Sequence, residues 1–184
     1  MAERDTFHRT KNPFFRHAAV QHFLARRGAR VVGRIAAIEN ALHNETHGDR
    51  VGFFGFFDVE PDPEAAGALV EAARGWVRER GLDRLRGPVN YSTNDSCGVL
   101  IDGFDEPPMI LMPYNRPDYD ELLRGAGLEV AKELLALWID AQAPVPERFR
   151  RVVERSMRRS RVVLRPIDLS DVAGEIRRLE NVYN

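Results

Sequence analysis

Pro113-Tyr-Asn-Arg-Pro-Asp-Tyr-Asp-Glu-Leu-Leu-Arg-Gly-Ala-Gly-Leu128, continued by the run from Val130 to Asp140, is the stretch on which the reading of this chain turns. Its order is strand, short helix, glycine-closed cap, strand. Asn115 to Gly125 is expected as a helix, and Val130 to Asp140 as a final strand. Just before it, Met109 to Met112 reads as a short buried strand and Cys97 to Ile101 as a strand or helix fragment. Between those pieces and the rest of the chain lies Asn90-Tyr-Ser-Thr-Asn-Asp95, a polar loop.

Toward the N-terminus, Val20 to Arg26 and Arg30 to Glu39 are β-rich runs separated by Arg27-Gly28-Ala29, a hairpin signature. Asn40 to Arg50 is polar and reads as a loop. Val51 to Val59 is apolar on both faces, as a central strand covered on both sides must be. Asp62 is placed to cap a helix that begins at Pro63, buries Leu69, Ala72, Ala73, Trp76 and Val77, and stops at Gly81. Asp83 to Val89 is a further short strand. Beyond a linker from Ala141, Pro146 to Arg159 reads as a basic helix with Phe149, Val152, Val153 and Met157 on one face. Val162 to Pro166 then reads as a strand, and Asp168 to Asp171 caps a helix carrying Val172, Ile176, Leu179 and Val182. The order of elements predicts an α/β (α+β) domain.

A chain of 184 residues with 43% hydrophobic content can bury one sizeable core. Net charge is −1, so no overall field draws it to nucleic acid or to a membrane. Charge is nonetheless local: Glu147 to Arg165 holds eight Arg against two Glu. Cys97 is the one cysteine, which excludes an intramolecular disulfide and a cysteine-based zinc site. No apolar run is long enough to span a bilayer and no signal-peptide core is visible, so a cytoplasmic location is expected. Residues 1–12 are polar, and the last helix reaches Asn184 without a closing signal. The chain is expected to be a piece of a larger architecture.

Strand hairpin, apolar strand, helix, strand, then a helix closed by glycine resembles the GNAT acyl-CoA N-acyltransferase fold over Val20 to Asp140, and Arg30-Val-Val-Gly33 is similar to the phrase that opens its third strand. Asn12-Pro-Phe-Phe15, Gly52 to Phe57, Ser92 to Asp95, Asp102-Gly-Phe104 and Met112-Pro-Tyr-Asn115 together resemble a bacterial family of two-domain GNAT-like proteins. The resemblance implies a mixed, mostly antiparallel central sheet flanked by helices. It implies a GNAT-like domain over residues 1–140 without its usual opening strand and helices. Residues 141–161 would be a linker and basic helix, and residues 162–184 the strand–helix opening of a second such domain. The implied activity is transfer of an acyl (acetyl) group from acyl-CoA (acetyl-CoA) to a small-molecule amine. The partner would be the second domain, with no metal, membrane or nucleic acid.

In that family the CoA pyrophosphate rests on helix N-terminal N–H groups in the pattern Gln/Arg-x-x-Gly-x-Gly/Ala. Here the pattern falls on Pro61-Asp-Pro-Glu-Ala-Ala66, where only Ala66 matches. No glycine is present, Pro63 removes a donor, and Asp62 and Glu64 repel phosphate. A GNAT-shaped binding or assembly module without CoA binding is therefore the competing expectation. The family's general base corresponds to Asp58 or Glu60, which could equally be solvated strand-end carboxylates. The acid position falls on Leu123, leaving Tyr114 and Tyr119 as nearby candidates. Phe57 lies on the strand expected to line the acyl channel, and Asn115 opens the last helix.

Asn90, Ser92, Thr93 and Asn94 form the densest set of small polar side chains, at the end of a strand where α/β folds place ligands. A self-contained Asx and Ser/Thr turn network would explain the same residues. Cys97 reads as a small buried hydrophobe unless a base lowers its pKa. His43 and His47 have metal-ligand spacing but no third ligand, so a solvated loop is the simpler reading. The arginines of the basic helix could touch nucleic acid or lipid, or could be a solvated face between domains.

Overall fold

The computed structural model describes residues 3–140, 142–160 and 165–183. The chain divides into two compact units, one up to Glu133 and one from Leu134 onward.

The first unit begins with α1 (Glu3–Thr6) and a 3-10 turn over Pro13–Arg16. Then come β1 (Ala18–Arg27) and β2 (Arg30–Asn40), an antiparallel hairpin in which Phe23 faces Ile35 and Arg27 faces Arg30. α2 (Ala41–His47) leads to β3 (Val51–Val59), antiparallel to β2, and α3 (Pro63–Glu79) crosses over to β4 (Arg84–Arg86), parallel to β3. The sheet order is β1-β2-β3-β4, mixed and mostly antiparallel. The fold is α+β, and α4 (Tyr119–Gly125) completes the unit.

Alternation on β2 and β3 divides the core between two faces. Ile35, Ala37 and Phe54 pack with Leu69, Val70 and Ala73 of α3 and with Leu122 and Leu123 of α4. Ala36 and Ile38 face the other way, onto Tyr91, Phe14, Phe15, Phe53 and Phe56. The continuous apolar run of β3 thus serves two cores. Two glycines of this strand let neighbours reach its backbone. A Cβ on Gly52 would stand 2.4 Å from Val77 of α3, and one on Gly55 would stand 2.0 Å from the Val89 carbonyl oxygen.

Several expectations are corrected. Asn40 to Arg50 contains α2, because Asn40 Oδ1 accepts the His43 N–H at 3.1 Å and Gly48 closes the helix at a φ of +63°. The strand from Asp83 stops at Arg86, since Gly87-Pro88 offers no proline donor to continue a ladder. Cys97 makes only an isolated bridge to Val89. The stretch from Met109 to Met112 is an exposed turn, hemmed by Pro107, Pro108 and Pro113, which cannot donate to a ladder. The last helix starts at Tyr119 and not at Asn115, because Pro117 disfavours helical geometry at Arg116. Val130 to Asp140 forms no strand and is exposed throughout, for no neighbour among the described residues supplies its hydrogen bonds. The division between the units falls within it.

In the second unit, α5 (Glu147–Ser160) is almost wholly exposed and α6 (Val172–Tyr183) is capped by Asp171, whose Oδ1 accepts the Gly174 N–H at 3.0 Å. Arg165 donates to Glu175 at 2.7 Å. The expected strand from Val162 lies outside the described residues over 162–164, and Arg165 and Pro166 are not in a strand. Among the described residues no helix is long and apolar enough to cross a membrane.

Replacing Gly55 tests the packing of β3. Gly55→Ala has to displace the Val89 backbone and is expected to cost about 1–3 kcal/mol. Gly67→Ala, in α3 with open space around its Cβ position, is expected to add about 0.5–1 kcal/mol. Urea denaturation of both variants measures the contrast, and equal effects would contradict this packing.

Candidate functional site

At the C-terminal end of β3 a cavity of about 330 Å³ opens, lined by residues that include Arg34, Phe57, Asp58, Asn90, Asn115 and Tyr119. It exists because four segments converge there: β2, β3, the loop after β4, and the approach to α4. The β2–β3 ladder breaks beside it, with Arg34 opposite Asp58 but Ala36 opposite Gly55. Phe56 lies in this break with a φ of +49°, and its N–H donates to Asn90 Oδ1 at 2.7 Å. The Val89 N–H meanwhile donates to the Phe54 carbonyl at 2.7 Å. Such a bulge turns side chains away from the regular pleat and re-aims them.

Asp58 is the acidic group of the cavity. Its Oδ1 accepts the Tyr119 hydroxyl proton at 2.7 Å, and its Oδ2 lies 3.8 Å from Arg34 Nη2. The Tyr119 oxygen in turn accepts the Val59 N–H at 3.4 Å. Tyr119 is buried, and its ring meets Phe57 edge-on at 5.6 Å. Burial first, and then the hydrogen bond to Asp58, raise the Tyr119 pKa above 10.0. Arg116 fastens the arrangement: it donates to the Val59 carbonyl at 2.7 Å, forks onto Asp118 at 2.8 and 3.0 Å, and stands 5.0 Å from the centre of the Tyr119 ring. One oxygen of Asp58 is thus held by Tyr119, the other lies near the Arg34 cation, and the residue lines the cavity.

The remaining candidate residues divide. Tyr114 lines the cavity, and its hydroxyl donates to the Phe104 carbonyl at 2.8 Å. Asn115 lines it too, but its amide is occupied: Oδ1 accepts the Leu100 N–H at 2.7 Å and Nδ2 donates to the Leu100 carbonyl at 3.2 Å. Glu60 is not in the lining and pairs with Arg30 at 2.9 Å. Ser92, Thr93 and Asn94 also lie outside it; Ser92 Oγ donates to Asp95 at 3.1 Å and accepts the Asn94 N–H at 3.2 Å, a local turn network. Sequence reasoning missed Arg34, Phe56, Val99 and Met112 as lining residues. Arg34 left a trace, being a lone charge between Gly33 and the apolar run Ile35-Ala-Ala-Ile38. The bulge that turns Phe56 left none.

The N-terminus of α3 is already satisfied. Asp62 Oδ1 accepts the Ala65 N–H at 3.0 Å, and Arg27 bonds both Asp62 and Glu64, at 2.9 and 2.7 Å. The backbone hydrogen bond and Arg27 hold the Asp62 carboxylate below its ordinary pKa of 3.8. A carboxylate that caps the helix occupies the place an anion would take, so these residues do not fit a pyrophosphate cradle. Elsewhere, the His43 and His47 rings lie 4.5 Å apart with Asp49 3.6 Å from His43 Nε2. Among the described residues no group of three or more metal-ligating side chains comes together.

No family model matches the chain and no solved structure matches it. It is 39% identical over 185 residues to a protein of Caulobacter vibrioides (strain NA1000 / CB15N) named bacterial ceramide synthase, a match that takes in 100% of this chain and 48% of that protein. It is also 31% identical over 183 residues to Protein YghO of Escherichia coli (strain K12), taking in 99% of this chain and 46% of the relative. The chain spans about half the length of the curated relatives it matches.

Proposed function

We propose that the first unit is a GNAT-like acyltransferase domain that joins an acyl group, carried as an acyl-CoA thioester, to an amine. The observation that carries this reading is Asp58: a carboxylate with one oxygen held by Tyr119 and the other near Arg34, on the wall of a cavity of mixed polar and apolar lining. Such a group can bind an ammonium and then accept its proton, directly or through water. The amine nitrogen bonds to the acyl carbon, the carbon–sulfur bond breaks, and the sulfur leaves with its electron pair and takes a proton. Tyr119 spends its own proton on Asp58 and so acts as a positioning residue. Support comes also from the relative named bacterial ceramide synthase. A ceramide is the amide of a fatty acid with a long-chain amino alcohol, so this reading names a long-chain amine as the acceptor class. It places the domain in the cytoplasm, where acyl-CoA is made, beside a second GNAT-like domain.

A second reading has its own observation. The α3 N-terminus is capped by Asp62 and neutralised by Arg27, which favours a GNAT-shaped module that binds without transferring. Turnover separates the two: release of free thiol from acyl-CoA in the presence of an amine is the acyltransferase outcome. A cooperatively folded chain that binds amine without thiol release would leave the module reading.

Within the acyltransferase reading, Asp58→Asn is expected to lower kcat/KM by roughly 10²–10⁴, the range for loss of a general base. Glu60→Gln, at a residue engaged with Arg30 outside the cavity, is expected to leave kcat/KM within about twofold, as surface substitutions away from a site do. Equal losses in the two variants would remove Asp58 from its role.

The pair can also be read by titration. With the tyrosines isotopically labelled for NMR, Tyr119 is expected to deprotonate above pH 10.0. Asp58→Asn removes an adjacent negative charge, so the midpoint should fall. An unchanged midpoint in the variant would mean that the two groups are not in contact.

A further inference from the structure

Arg34 is the cation of the cavity lining, and its guanidinium is not closed onto a carboxylate. Elsewhere the arginines of this chain fork tightly. Arg116 holds Asp118 at 2.8 and 3.0 Å, and Arg27 holds Asp62 at 2.9 and 3.1 Å. Arg34 and Asp58 are cross-strand partners in the β2–β3 ladder, beside its register break. Even so, Arg34 Nη2 stands 3.8 Å from Asp58 Oδ2, beyond hydrogen-bonding distance. Asp58 gives its bonded oxygen to Tyr119 of α4 instead. Among the described residues no hydrogen bond reaches the Arg34 side chain.

The fold has little need of a charge at this position. Arg34 is the one charged residue of β2 between Arg30 and Glu39, and an exposed cross-strand pair contributes little to stability. A ligand has more use for it. Opposite charges side by side in one cavity are complementary to a molecule that carries both a cation and an oxygen acceptor. An ammonium and an oxygen on adjacent carbons stand at a comparable spacing. Such a ligand can donate from nitrogen to Asp58 Oδ2 while its oxygen accepts from Arg34 Nη2. A plain amine satisfies only the carboxylate and brings its ammonium beside a second cation, which costs affinity.

We propose that Arg34 is a specificity-determining residue that selects acceptor amines bearing an oxygen on the carbon next to the aminated one. The ammonium lies at Asp58 and the oxygen at Arg34. The inference rests on the reading of Asp58 as the amine site, and it narrows that reading from long-chain amines at large to amines with this second group. A hydroxyl and a carboxylate share the required chemistry, and separate ligands distinguish them.

The test measures affinity, without acyl donor, for three ligands of one chain length below their micellar concentrations. They are decylamine, the same amine with a hydroxyl on the neighbouring carbon, and the α-amino acid of that chain. The purified chain is compared with Arg34→Gln and with Arg30→Gln, which removes the same charge from the same strand outside the cavity lining. Both side chains are exposed, so the fold should persist, as thermal unfolding would verify. At least one oxygen-bearing ligand should bind the unsubstituted protein about tenfold tighter than decylamine, and which one does so identifies the oxygen as neutral or anionic. Arg34→Gln should abolish that advantage while decylamine binds as well as before or better, and Arg30→Gln should change nothing. Equal affinities for the three ligands, or an equal loss for all three in Arg34→Gln, would overturn the role of Arg34 and leave Asp58 as an amine site. Loss of the advantage in Arg30→Gln as well would assign it to net charge and contradict the proposal. No binding of any of the three would overturn both the role of Arg34 and the amine site.

Discussion

Close apposition of the β4–Val89 segment to β3 holds this unit together. Gly55 has no side chain because the Val89 carbonyl occupies that space, and Val89 returns its N–H to Phe54. The contact continues at Asn90, whose side chain takes the N–H of Phe56. From there β3 can no longer follow the pleat of its ladder with β2, and its last residues are re-aimed. Asp58 then meets Tyr119 of α4, and Val59 meets Arg116. On the other face α3 reaches the same strand through Val77 over Gly52. A single strand therefore fixes the two cores, the cavity and the carboxylate within it.

Electrostatics distinguish two neighbouring places beyond the C-terminal part of β3. At the α3 N-terminus the available anion is the protein's own: Asp62 caps the helix and Arg27 neutralises Asp62 and Glu64. Arg27 and Glu64 are exposed and Asp62 is half-buried, and surface pairs of this kind contribute little to stability. They do fill the N–H cradle. At Asp58 the balance differs, because Tyr119 supplies a charge-assisted hydrogen bond to one oxygen while Arg34, at 3.8 Å, keeps a positive field near the other. The carboxylate is held in place without being used up.

Local chemistry made much of the fold legible. Gly28 between two β-rich runs, the two-sided apolar run of β3, and Asp62-Pro63 ahead of a periodic stripe each specify a local conformation through short-range sterics and hydrogen bonds, and each element is present. Errors came where pattern was taken for pairing. Val130 to Asp140 has a strand-like composition, yet a strand needs a neighbour. Met109 to Met112 is apolar without being buried, because prolines on both sides keep it from a ladder. In the site, Asp58 and Tyr119 were individually visible as candidates, but the contact between them spans 61 residues of chain and no periodicity encodes it. Asn115 was noticed for its place ahead of a helix, whereas its amide ties down Leu100.

The most direct test of the site is a chemical-shift map of backbone amides during titration with a long-chain primary amine, followed by an acyl-CoA. The account predicts that the amine perturbs Phe56 to Asp58, Asn90 and Met112 to Tyr119, with Ala65 and Ala66 at the α3 N-terminus silent. Perturbation centred on Ala65 and Ala66, with Asp58 and Tyr119 unmoved, would contradict it.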